Sequence, residues 1–91
     1  MFTFDISDVL RKKLVKIGKR DKVLAEIFNK KITEVINRDE NTINAYKNLK
    51  APQNEFKRIH LTSNYVLLFK VDMRNNNIVF VDILHWDYAY Y

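Results

Sequence analysis

The sequence predicts an α+β fold: a β-α-α-β-β-β chain whose antiparallel four-stranded sheet carries an N-terminal helical hairpin packed on one face. Three observations predict it. Two successive stretches repeat apolar residues at helical spacing. Three later stretches are rich in β-branched and aromatic residues and are separated by short polar turns. Only one glycine and one proline interrupt the 91 residues.

Phe2-Thr3-Phe4 reads as a short first strand, because Phe and Thr suit a half-buried pleat. Ser7 or Asp5 then stands where a helix N-cap belongs. Ile6, Leu10, Leu14 and Ile17 recur at helical spacing with Val9 on the same side, and Arg11, Lys12, Lys13 and Lys16 cover the other faces. Gly18 is the expected C-terminal stop. Asp21 can cap a second helix, whose stripe is Leu24, Ile27, Phe28, Ile32, Val35 and Ile36. So short a connection makes the two helices an antiparallel hairpin. That hairpin must bury its stripe on another layer.

The other layer lies in the second half. Residues 38–51 are polar, with a short helical turn or tucked loop around Ile43, Ala45, Tyr46 and Leu49, and Pro52-Gln53-Asn54 closes the connection. From Phe56 to Leu61 the pattern alternates. Phe56, Arg58 and His60 share one face; Lys57, Ile59 and Leu61 share the other. Thr62-Ser63-Asn64 is a tight turn. Tyr65 to Val71 is almost wholly apolar and reads as a central strand buried on both faces. Arg74-Asn75-Asn76-Asn77 is a hairpin turn, since Asn tolerates positive φ. Ile78 to Leu84 is the last strand, and an aromatic tail follows. Strands joined by such short turns are antiparallel. Residues 1–91 form one domain on this reading.

Composition narrows the function classes. The chain has no cysteine, so disulfide frameworks and thiolate metal sites are excluded. No apolar run approaches the roughly 20 residues that span a bilayer. The N-terminus lacks the pattern of a signal peptide. A cytoplasmic protein without membrane contact is expected. The net charge of +5 favours a polyanionic partner.

Several stretches, taken together, resemble the RelE/ParE superfamily. They are Lys47-Asn48-Leu49-Lys50, Phe56-Lys57-Arg58-Ile59-His60, Tyr65-Val66-Leu67-Leu68-Phe69-Lys70-Val71, and Ile78-Val79-Phe80-Val81-Asp82-Ile83-Leu84-His85 leading to Tyr90. The resemblance spans essentially the whole chain. It implies the toxin of a type II toxin–antitoxin pair, with a cognate antitoxin as partner. It also implies a metal-free endoribonuclease that cuts mRNA on the ribosome, where contacts with 16S and 23S rRNA would help to hold it. The alternatives within the resemblance are a ParE-like protein that inhibits DNA gyrase without being an enzyme, and an inactive relative that only binds RNA or protein.

Metal-free RNA cleavage needs a group to move protons and cations to meet the phosphate. Arg58 and His60 lie two apart on a strand, so they share a face about 7 Å apart along the chain. Arg offers a planar fork for phosphate, and His titrates near neutrality. The same residues would equally suit a plain solvated strand face. His85 after the last strand is a second candidate acid or base, expected with Arg58, His60 and Tyr90 around the one open face of the sheet. Tyr90 matches the tyrosine that the family carries near its C-terminus, and Trp86 could stack on a base. Lys47, Lys50 and Lys57 are candidate phosphate contacts. Two departures stand out. Family nucleases commonly carry arginine after the tyrosine that opens the third strand and after the final histidine. Here those residues are Val66 and Trp86. No cofactor or metal site is expected, because the two histidines stand far apart in sequence with no carboxylate cluster.

Overall fold

A computed structural model describes residues 1–48 and 55–85. The elements in chain order are β1 (Thr3–Ile6), α1 (Asp8–Arg20), α2 (Lys22–Ile36), a 3₁₀ turn (Ile43–Ala45), β2 (Lys57–His60), β3 (Tyr65–Asp72) and β4 (Asn77–His85). The strands form one sheet in the order β1-β4-β3-β2.

The helices begin as their caps dictate. The Ser7 hydroxyl accepts the Leu10 N–H at 3.1 Å, and the Asp21 carboxylate accepts the Leu24 N–H at 3.0 Å. Asp21 also ends α1, its own N–H donating to the Ile17 carbonyl. Gly18 is therefore not the stop expected of it: α1 runs on through Arg20. Gly18 has no positive φ, and a Cβ there would meet nothing within 4 Å. Leu10, Leu24, Phe28 and Val35 are buried, whereas Val9 points to solvent and leaves the predicted stripe.

The sheet departs from the expected pattern in one pairing. The pairs β2–β3 and β3–β4 are antiparallel, but β1 runs parallel to β4, Thr3 opposite Asn77 and Ile6 opposite Phe80. The cause is the helical hairpin. It returns the chain to its start, where the Phe2 N–H donates to the Ile36 carbonyl at 2.7 Å. The chain must then cross to the far edge before β2 can begin. In the β3–β4 turn, Asn76 takes the left-handed conformation at φ 52°, as an asparagine can.

Phe69, Phe80, Leu67 and Ile78 are fully buried on the helix side of the sheet, packed with Leu10, Phe28 and Val35. A smaller apolar cluster occupies the other side: Val66 and Leu68, with Phe56, Val81 and Leu84 against them. The register of β4 breaks between these residues. Leu68 pairs with Asp82 while Phe69 pairs with Phe80, so Val81 is an extra residue, a β-bulge. Helix α1 is docked on this bulge. The Ser7 hydroxyl donates to the Val81 carbonyl, and the Lys13 ammonium meets the Asp82 carboxylate at 2.6 Å and the Ile83 carbonyl at 3.1 Å.

Candidate functional site

Strand β2 keeps strict alternation, and its pairing with β3 fixes which side each residue faces. Arg58 stands opposite Leu68, and His60 opposite Val66. Directly opposite residues share a face, so both lie on the side away from the helices, beside the smaller cluster. Ile59 and Leu61 pack into the helix-side core. The structure thus brings Arg58 and His60 together on the face that alternation predicts. His60 is exposed, and Arg58 is half-buried.

His85 does not join them. It pairs with Tyr65, and the two rings meet edge to face at 5.7 Å between centroids. Tyr65 packs against the helix-side core. His85 lines a groove on that side with Lys13, Lys16, Ile17 and Leu24 of the helices. The expectation that Arg58, His60 and His85 surround one face is therefore corrected. The bulge is the physical reason. Counting by twos from the buried Ile78 and Phe80 sends residue 85 to the face away from the helices. One extra residue at Val81 reverses the phase, as Ile83 shows by returning to the helix-side core.

Lys57, expected as a phosphate contact, has its ammonium engaged within the fold. It lies on the opposite face of β2 from Arg58. Its ammonium donates to the Tyr46 carbonyl at 3.1 Å and to Asn48 Oδ1 at 2.9 Å. Burial pushes its pKa below the usual lysine value. Lys47 is exposed, and its carbonyl accepts the Arg58 N–H at 3.0 Å. Arg58 Nη1 donates to the Asn48 carbonyl at 2.9 Å. Lys50, Trp86 and Tyr90 lie outside the described residues. Among the described residues, no three His, Cys, Asp or Glu side chains come together as metal ligands would. Likewise, no helix is long and apolar enough to cross a membrane.

Sequence reasoning placed Tyr46 in a tucked loop and Asn48 in a family-like stretch, but gave neither a role at the site. Tyr46 is held from three sides. Arg38 Nε donates to its hydroxyl at 3.1 Å, the hydroxyl donates to Glu34 Oε1 at 3.3 Å, and its ring meets Phe69 edge to face at 5.4 Å. The Arg38 guanidinium also lies 5.2 Å from the ring centroid. Partial burial raises the Tyr46 pKa above the ordinary tyrosine value.

Arg58 and His60 thus make a basic, half-exposed strand face on the side of the sheet away from the helical hairpin. Comparison with known proteins gives the class. A protein of Methanocaldococcus jannaschii, provisionally named toxin RelE4, is 39% identical over 90 residues, covering 99% of this chain and 92% of that one. The chain belongs to the RelE family of toxins from toxin–antitoxin systems. An uncharacterised protein of Methanosarcina mazei is 36% identical over 90 residues, covering 99% of this chain and all of that one. Among solved structures, Escherichia coli YafQ superposes with a TM-score of 0.74 at 16% identity, covering 96% of each chain. The intact Escherichia coli RelBE toxin–antitoxin complex gives 0.69 at 20% identity, covering 91% of this chain and 94% of that one. These two show the shared fold. No family model matches the sequence.

Proposed function

We propose that this chain is the toxin of a toxin–antitoxin pair and that it cuts mRNA on the ribosome as a metal-free endoribonuclease in the cytoplasm. The observation that carries this reading is the placement of Arg58 and His60 side by side on the β2 face away from the helices. Arg58 holds the scissile phosphate with its guanidinium fork. His60 takes the proton from the 2′-hydroxyl as that oxygen attacks phosphorus and the bond to the 5′-oxygen breaks. The proton is then returned to the leaving 5′-oxygen. His85 takes no part in the reaction on this reading. The cognate antitoxin is the partner that silences the site, and the solved RelBE complex supports such a pairing.

The test is cell-free translation of a reporter mRNA with purified protein, with breaks mapped by primer extension. Arg58→Ala is expected to slow cleavage by about 10²–10³-fold, and His60→Ala by about 10²-fold. His85→Ala is expected to stay within about twofold of the parent, since its ring lies on the other face. Absence of any mapped break with the parent protein contradicts the reading.

One observation favours a second reading. Val66, at a position where family nucleases commonly carry arginine, is fully buried in an apolar cluster with Leu84 against it. The half-buried Phe56, Val81 and Leu84 of that cluster present an apolar patch that suits a protein target better than a phosphate, which fits a gyrase inhibitor or an RNA- or protein-binding relative without activity. Inhibition of gyrase supercoiling without mRNA cleavage would establish the first of these. Binding of RNA without either effect, and without growth arrest on induction, would establish the second.

A further inference from the structure

Strand β2 carries basic residues on both faces, and both grip the same loop. Asn48 bridges Lys57 in antiparallel fashion, and the Arg58 N–H bonds the Lys47 carbonyl. Residues 46–48 therefore run along the outer edge of β2. The Lys57 ammonium holds this run through the Tyr46 carbonyl and Asn48 Oδ1. Arg58 Nη1 reaches the Asn48 carbonyl at 2.9 Å. Glu34 and Arg38 anchor Tyr46 to α2 and the turn that follows it.

We infer that Lys57 and Asn48 are positioning residues for Arg58: by clamping the loop to β2 from the helix side, they hold the Asn48 carbonyl where it fixes the plane of the Arg58 guanidinium on the other face. The inference rests on Arg58 as the phosphate-holding residue of the proposed reaction. An arginine fork gains geometric specificity when its plane is fixed before the phosphate arrives. A free arginine side chain must surrender its rotamer freedom at that moment. A lysine on the core side of an edge strand is costly to desolvate, and its pKa falls accordingly. Two carbonyl partners offset that cost, which explains how the cation is kept there with no carboxylate paired to it among the described residues.

Lys57→Met removes the clamp, Lys57→Arg keeps a cation with donors, and Asn48→Ala removes only one of the two anchoring oxygens. The first measurement is heteronuclear NMR relaxation of the Arg58 Nε–Hε signal, assigned by its loss in Arg58→Lys. The parent is expected to show a rigid guanidinium, Lys57→Met a mobile one, Asn48→Ala partial mobility, and Lys57→Arg near-parent behaviour. The second measurement is single-turnover cleavage of ribosome-bound reporter mRNA. Lys57→Met is expected to lower the rate about five- to tenfold, as a lost hydrogen-bonded anchor would. It is expected to add nothing to Arg58→Ala in the double variant.

Unchanged Arg58 relaxation in Lys57→Met overturns the inference, as does a full additive loss in the double variant. If Arg58→Ala cleaves as well as the parent, the proposed reaction fails. The relaxation arm then still decides whether the clamp fixes the guanidinium. Circular dichroism separates unfolding from local loosening. Should Lys57→Met unfold, Asn48→Ala decides on the same readouts, and a fully rigid Arg58 in that variant overturns the inference.

Discussion

Strands β2 and β4 each place a histidine near an end of the sheet, at His60 and His85, and the two histidines finish on opposite faces. The difference is a single residue. β2 alternates without interruption, so its sequence reads directly as two faces. β4 carries one extra residue at Val81, and everything after it changes sides. Alternation therefore predicts a face only as far as the register is unbroken. A residue beyond a bulge can be assigned only from its partner across the ladder.

Deleting Val81 breaks this comparison most forcefully. Strict alternation from Phe80 would then keep Ile83 on the helix side, but the Val81 side chain would leave the smaller cluster and the carbonyl that accepts the Ser7 hydroxyl would be lost. A loss of about 1–3 kcal/mol is expected, read as a fall in the chemical denaturation midpoint. A midpoint unchanged from the parent would show that the bulge is not needed. Lys13→Met tests the docking of α1 on the same bulge. The Lys13–Asp82 pair is only partly shielded from water, with side chains 41% and 21% exposed. Solvent screening limits its loss to about 0.5–1 kcal/mol, measured in the same way.

Gly18→Ala tests a region where the register of a helix, not a strand, decides. Gly18 lies in the last turn of α1 with open space where a Cβ would go. The substitution is expected to stabilise the fold by about 0.5–1 kcal/mol. A destabilising result would mean that Gly18 ends the helix after all.

Much of the fold was legible. The apolar stripes of α1 and α2, the Ser7 and Asp21 caps and the three long strands follow from periodicity and turn chemistry. The parallel pairing of β1 was not legible, because a three-residue run of Phe and Thr carries no information on direction. The strand's place is set instead by where the helical hairpin returns the chain. Arg58 and His60 were legible as neighbours on one face. The side on which Lys57 lies was legible too, since the same alternation that set Arg58 outward put Lys57 with Ile59 and Leu61, but its hold on the Tyr46 and Asn48 oxygens was not. A lysine on that side must find carbonyl oxygens before it can serve a phosphate. His85 was misplaced because nothing in Phe80-Val81-Asp82-Ile83 marks a bulge before its partners are known.

The separation of the two histidines is tested most directly by titrating the protein with a short single-stranded RNA while following its NMR signals. Signals of His60, Arg58 and the Val66 methyl groups should shift on binding, while the His85 and Tyr65 ring signals stay in place. Shifts at His85 and Tyr65 with none at His60 would contradict the account, and would return the RNA to the side that the helices cover.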